Sequence, residues 1–117
     1  NFYAHGFLAV WNVEVRRRGG TVGAAIMGAS VRNGRKSYQS AARLAPDDVG
    51  VHWQYARALA ALDVKQYGAE ASAVLGKALT AGADSHVERI MQGRAAQLAE
   101  ALKGDASAAQ KLARQML

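Results

Sequence analysis

The chain has 117 residues, half of them hydrophobic, with a single proline and no cysteine. This length fits one domain of about six helices with short connections, and the lack of cysteine excludes disulfides, thiolate metal sites and cysteine nucleophiles. The net charge is +6, and its excess lies before Ala45, where Glu14 is the single acid among seven basic residues.

The composition predicts an all-α domain without a membrane span. Alanine supplies much of the hydrophobic content, has the highest helix propensity and lets helices approach closely. The longest apolar stretch, residues 22–31, has about half of the ~20 residues that a spanning helix needs. The sequence begins at Asn1, and no basic stretch precedes the apolar residues 7–10 as a secretory signal requires. We expect a soluble piece of a longer or processed protein, cytoplasmic or periplasmic.

Two helices are predicted before the proline. The first covers about residues 2–18 and ends at Gly19-Gly20, and its inward face has residues at helical spacing, namely Phe7, Leu8, Trp11 and Val15. The second runs from about Val22 to Leu44 after a cap at Thr21. Gly34 lies inside it, where glycine costs up to ~1 kcal/mol relative to alanine. This glycine indicates either a kink or a close crossing with another helix.

Four further helices are predicted after Pro46. The third covers about residues 49–62, with the preceding aspartates as caps, and a break at 63–66 separates it from a fourth at about 67–81. Ser85 and Glu88 have capping-box spacing and begin the fifth, and Asp105 caps the last. Three helical hairpins in one domain, residues 1–117, are therefore expected.

The middle of the chain carries a family resemblance. Tyr38 and Ala41 precede Pro46, and large and small apolar residues follow at helical spacing: Trp53, Tyr55, Ala56 and Leu59, then Ala71, Leu75 and Ala78. This order resembles the tetratricopeptide repeat, a two-helix unit of about 34 residues that ends in proline. Asn12 and Gly34 depart from the pattern. The resemblance implies hairpins stacked as a short right-handed α–α superhelix, with Ala56 and Ala71 at a helix crossing.

The resemblance also implies a partner-binding groove lined by the first helix of each hairpin. The residues that would face it are Gly50, Trp53, Arg57 and Ala60. Trp53 and Arg57 are one helical turn apart, and an aromatic ring beside a guanidinium is common among interface anchors. Alternatively, Trp53 is buried against the first hairpin and Arg57 is solvated. The first hypothesis is a non-catalytic scaffold or adaptor for another protein or peptide, with an acidic segment as one candidate partner.

Two other hypotheses stay open. The first places binding to nucleic acid or an anionic surface on a basic patch formed by Arg16, Arg17, Arg18, Arg32, Lys36 and Arg43. A solvated outer helix face also explains these residues. The second makes the chain a capping or dimerising unit of a larger helical array, and hence a homo-oligomer, because the apolar Leu112 and Met116 need a cover.

Catalysis, metal binding and cofactors are not predicted. His5, His52 and His86 are isolated, without the His-Glu-x-x-His spacing of a zinc site. The acids fall mostly at predicted helix starts, where capping accounts for them, and no serine has a nucleophile-elbow context. Residues 19–23 are rich in glycine, but no strand precedes them and the lysine of a phosphate-binding loop is missing.

Overall fold

The computed structural model describes residues 1–116. These residues form no strand and six helices: α1 (Phe2–Met27), α2 (Val31–Leu44), α3 (Val49–Leu62), α4 (Val64–Thr80), α5 (His86–Ala101) and α6 (Ala106–Gln115). The all-α prediction and the number of helices are confirmed for this part of the chain. α1 packs mainly against α2, α3 packs mainly against α4, and α3 contacts all five of the others. It is therefore the central helix of the fold.

The first connection differs from the sequence prediction. Gly20 has the non-helical angles φ 66° and ψ −170°, so the range Phe2–Met27 consists of two helical segments that meet at a kink where the sequence predicts a break. Gly28 then takes the left-handed conformation, with φ 72°, that glycine commonly supplies after a helix. Ser30 caps α2, since its Oγ accepts the backbone N–H of Asn33 at 3.0 Å. The predicted continuous helix over residues 22–44 is thus wrong, because it is interrupted between Met27 and Val31, and Thr21 lies directly after the kink at Gly20.

The later boundaries agree better with the sequence. α3 has the predicted bounds, and the predicted caps of α3, α5 and α6 are confirmed at Asp48, Ser85 and Asp105. Asp63 alone separates α3 from α4, because it ends the first helix and caps the second. One residue therefore replaces the four-residue break that the sequence predicts, and α4 begins at Val64 instead of Tyr67.

The core surrounds α3. Ten of its residues are buried, and they include the large side chains of Trp53, Tyr55 and Leu59. Ala56 is buried together with Leu75 of α4 in one apolar cluster that extends to α6. Small alanines on all sides of α3 let the other helices pack closely around it. The packing around α3 therefore determines which of its residues are accessible at the surface.

Gly34 marks a close crossing of α1 and α2. A Cβ atom added there would lie 3.0 Å from the backbone oxygen of Ala9 and 3.3 Å from Cγ2 of Val13. The crossing alternative is therefore confirmed, and α2 has no kink at this glycine. The face of α1 that packs on α2 contains Ala9, Asn12 and Val13, all buried. The predicted inward face is wrong at Phe7, which is 68% exposed, and at Leu8, which is 43% exposed.

A buried polar contact fixes the connection between α2 and α3. His52 Nε2 lies 2.7 Å from the carbonyl oxygen of Pro46, which can only accept, so this nitrogen carries a proton and donates. The Tyr38 hydroxyl lies 2.8 Å from Nδ1 and donates to it when the imidazole is neutral. Burial raises the pKa of Tyr38 to about 12. The start of α3 is thereby tied to the loop before it.

A second polar contact joins α2, α3 and α4. Arg35 donates two hydrogen bonds to the carboxylate of Glu70, at 2.7 and 2.9 Å, and the Tyr55 hydroxyl donates a third at 3.1 Å. The ring of Tyr55 stacks on Tyr38 with centroids 4.3 Å apart. The stacked rings of Tyr38 and Tyr55 therefore connect the two polar contacts, one of which contains each tyrosine.

Candidate binding groove between α1 and α3

Most of the groove residues predicted from the sequence lie inside the protein. Trp53 is 2% exposed, Arg57 is 5% exposed and Ala60 is fully buried, whereas Gly50 is half-buried. Trp53, Arg57 and Ala60 are enclosed because α3 contacts all five other helices. Trp53 and Arg57 therefore do not form an accessible aromatic and guanidinium pair in this structure.

Arg57 faces an internal partner. Its Nη2 lies 3.7 Å from Oε1 of Glu14 on α1, and the other oxygen of that carboxylate accepts a 2.6 Å hydrogen bond from Arg17. Burial lowers the pKa of the Arg57 guanidinium, and the nearby carboxylate of Glu14 opposes this shift. Arg57 is thus neither solvated nor available to a ligand, and it connects α3 to α1.

An apolar groove lies beside these residues, between the first half of α1 and the start of α3. Its volume is about 350 Å³, and it is lined by Phe2, Tyr3, Gly6, Phe7, Val10, Asp48, Gly50, Val51 and Gln54. Tyr3 is 72% exposed and Phe7 is 68% exposed. Soluble proteins rarely expose large apolar patches, and those that they do expose commonly mark binding sites. The two exposed aromatic side chains therefore make this groove a candidate binding site. Gly50 is the one predicted groove residue that lines it.

Two of the residues that line the groove are glycines. A Cβ atom at Gly6 would lie 3.8 Å from Cγ2 of Val51, an ordinary contact distance, so the missing side chain leaves space between α1 and α3. A Cβ atom at Gly50 would lie 3.2 Å from Oδ1 of Asp48 and 3.7 Å from Sδ of Met91. Gly50 therefore lets α5 and the cap of α3 come close to the end of the groove.

Sequence reasoning missed the aromatic lining because it assigned Phe7 to the core. Phe2, Tyr3, Gly6, Phe7 and Val10 recur at intervals of three and four residues, which places them on one side of a helix. A second row, made of Ala9, Asn12 and Val13, faces α2 instead. The small Ala9 was the available signal, because a helix that packs against Gly34 needs a small residue at the crossing.

The predicted basic patch is divided by the structure. Arg17 is half-buried against Glu14, and Arg18 is mostly exposed with its Nε 3.7 Å from the same carboxylate. Arg32, Lys36 and Arg43 are exposed along α2, and none of these three forms an ion pair within residues 1–116. Arg16 lines a separate hollow between α1 and α2. The accessible cations of the predicted basic patch are therefore mainly those of α2.

The remaining candidate chemistry has structural explanations. His52 is buried in the polar contact with Tyr38 and Pro46, whereas His5 and His86 lie on other helices. Residues 1–116 contain no group of three or more His, Cys, Asp or Glu side chains placed to hold a metal ion. Across the same residues, no helix combines the length and the apolar character needed to cross a bilayer.

Comparison with known proteins gives no relative. No family model, no curated protein and no solved structure matches the chain significantly.

Proposed function

We propose that this chain is a non-catalytic protein-interaction module that binds a peptide or protein segment in the groove between α1 and α3. The observation that carries the proposal is the pair of exposed aromatic side chains, Tyr3 and Phe7, along an open apolar groove of about 350 Å³. This volume is at the lower end of the ~300–1,000 Å³ typical of ligand sites. The groove therefore suits a few apolar side chains of a larger partner.

The place of the groove supports a tetratricopeptide-like arrangement as part of this proposal. α1 and α3 are the first helices of the first two hairpins, and repeats of this kind bind along the surface that such helices line. Gly50, at the start of α3, lies where the resemblance puts the groove edge. The groove differs from the expected one because its lining comes from the ends of the helices and excludes Trp53.

The size of the apolar contact predicts modest affinity. A partner that covered about 200 Å² of the two aromatic rings would contribute roughly 5 kcal/mol at 25 cal/mol per Å². Association itself costs an estimated ~4–15 kcal/mol in lost freedom. Tyr3 and Phe7 alone therefore do not hold a partner tightly, and further contacts around the groove have to supply the remainder.

A peptide selection tests the proposal. Peptides selected from a random library on the immobilised protein should lose about thirtyfold or more in affinity for Phe7→Ser, as expected for a central aromatic anchor. Ile26→Ser is the matched control, because Ile26 is also an α1 residue, is 79% exposed and does not line the groove. Selection of no peptide, or equal binding to both variants, would contradict the proposal.

A second candidate function uses the free cations of α2. Arg32, Lys36 and Arg43 are exposed and share one helix, so they could contact the phosphates of nucleic acid or an anionic surface. Binding of this kind should weaken steeply as salt increases, because counterions are released on contact. Binding is measured with a DNA duplex and with anionic vesicles. The double variant Arg32→Gln/Lys36→Gln should lose this binding. Absence of binding at low salt would exclude this candidate.

A further inference from the structure

A second, acidic hollow shares one lining residue with the apolar groove. Asp48 lines both, and the hollow lies between the α2–α3 and α4–α5 connections. Its volume is about 460 Å³, and its lining is Ala45, Pro46, Asp47, Asp48, Gly82, Asp84 and Glu88. A segment that leaves the groove past Asp48 therefore meets four carboxylates and no basic side chain.

Two of these carboxylates have no side-chain hydrogen bond within residues 1–116. Asp48 accepts the backbone N–H of Val51 at 2.9 Å, and Glu88 accepts that of Asp84 at 3.3 Å. The side chains of Asp47 and Asp84 make no hydrogen bond to the described residues. None of the four acids pairs with Lys, Arg or His in this part of the chain. Asp47 and Asp84 are thus free to accept bonds from a partner.

The field in the hollow remains negative when the neighbouring helix ends are included. α3 and α5 begin beside it, and a helix N-terminus carries the equivalent of about half a positive charge. Two such ends offset roughly one of the four negative charges. The basic excess of the whole chain lies before Ala45, whereas the four acids of the hollow follow it, so the net charge does not describe the hollow.

We infer that the partner of the groove is a segment with apolar side chains followed by Lys or Arg, whose cations reach the acidic hollow. The inference rests on the proposed function and names the chemistry of its partner. It replaces the acidic segment considered from the sequence, because the net charge of +6 does not describe the surface next to the groove. Charge complementarity at the end of an apolar site supplies specificity and speeds association.

Two synthetic helical peptides test the inference. They share one row of Leu and Phe side chains and differ only at one end, which carries Lys residues in one and Glu residues in the other. Exposed ion pairs are individually weak, so several of them together should favour the Lys peptide by about tenfold at low salt. This preference should shrink as salt is added, because the charges are exposed and screened.

Two variants locate the effect. Asp47→Asn/Asp84→Asn keeps the shape of both side chains and should weaken the Lys peptide about threefold or more without weakening the Glu peptide. Glu100→Gln is the control, since this exposed acid lies outside the hollow and, within residues 1–116, pairs only with Lys103. It should leave the affinity of both peptides unchanged. The inference is supported if the double variant loses the preference for the Lys peptide while Glu100→Gln keeps it.

The other outcomes separate the two proposals. Equal affinity for both peptides, or tighter binding of the Glu peptide, overturns the inferred partner chemistry while the groove proposal stands. If neither peptide binds at millimolar concentration, both proposals fail. Self-association of the protein without peptide, abolished by Asp47→Asn/Asp84→Asn, would identify a second copy as the occupant and would also overturn the inference.

Discussion

Asn12 on α1 accepts a hydrogen bond from the backbone N–H of Ser30, 3.0 Å away, at the residue that caps α2. Its side-chain nitrogen donates to the carbonyl oxygen of Leu8 at 2.8 Å. One buried amide therefore bridges the body of α1 and the start of α2. This contact explains why a polar residue stands where the repeat resemblance expects a large apolar one.

We expect Asn12→Ala to lower the free energy of unfolding by about 1–3 kcal/mol, because the N–H of Ser30 loses its acceptor in a partly buried site. Urea unfolding followed by helical circular dichroism measures the change. Asn33→Ala is the control, since the Asn33 side chain is exposed and such substitutions usually change stability by ~0.5 kcal/mol or less. Equal stability of the two variants would show that the bridge contributes little.

The two glycines Gly34 and Gly76 should respond in opposite directions to alanine. Both lie inside helices, where alanine normally adds about 0.5–1 kcal/mol of stability. Gly76→Ala should show this gain, because no atom lies within 4 Å of an added Cβ. Gly34→Ala should instead lose about 1–3 kcal/mol, because the added atom meets the backbone of Ala9 at 3.0 Å. Thermal unfolding of both variants checks the sign of each effect, and a stabilised Gly34→Ala would contradict the close crossing.

The Arg57–Glu14 contact predicts unequal effects from its two sides. Glu14→Gln leaves the guanidinium of Arg57, 5% exposed, without its carboxylate, and should cost about 3 kcal/mol or more. Arg57→Met removes the buried charge and replaces it with an apolar chain of similar length, so its stability should stay close to that of the wild type. Chemical denaturation of the two variants compares them. Equal losses would mean that the pair itself, and not the uncompensated charge, determines stability.

Acid should weaken the protein through Glu70. Hydrogen bonds from Arg35 hold the pKa of this carboxyl below its ordinary value, desolvation opposes that shift, and the hydrogen bond from Tyr55 adds to it. Because the folded state binds this proton more weakly than the unfolded state, the contact stabilises above the unfolded-state pKa of about 4.3. That stabilisation is lost as the pH falls through the lower pKa of the folded state.

Glu70→Gln should therefore be less stable at neutral pH and should lose less stability between about pH 6 and pH 3 than the wild type does. Unfolding free energies measured across this range test the expectation. Glu100→Gln serves as the control, because its side chain is 77% exposed and its acid limb should match that of the wild type. A Glu70→Gln curve parallel to the wild-type curve would show that another group governs the acid transition.

The sequence predicted the starts of α3, α5 and α6 well because these helix ends have strong local signals. Asp48, Ser85 and Asp105 each place a side-chain oxygen where a helix begins. The first hairpin was harder, since residues 22–31 form a continuous apolar stretch that hides the break at Gly28. The signal was Gly28 followed by Ser30, a helix-ending glycine two residues before a capping serine.

The groove could be predicted only in part. The resemblance pointed to the first helices and to Gly50, but it also chose Trp53 and Arg57, which are buried. Their burial results from the contacts of α3 with the other five helices, and no local sequence pattern encodes those contacts. Net charge was a poor guide for the same reason, because the carboxylates of residues 47, 48, 84 and 88 meet only after two distant connections come together.

A nuclear magnetic resonance titration of the isotope-labelled protein with the Lys peptide locates the binding surface most directly. If the groove binds, the largest chemical-shift changes should fall on the backbone amides of Gly6 and Gly50 and on the side-chain amide of Gln54, which all line it. Changes confined to the amides of α2, around Arg32 and Lys36, would contradict the account.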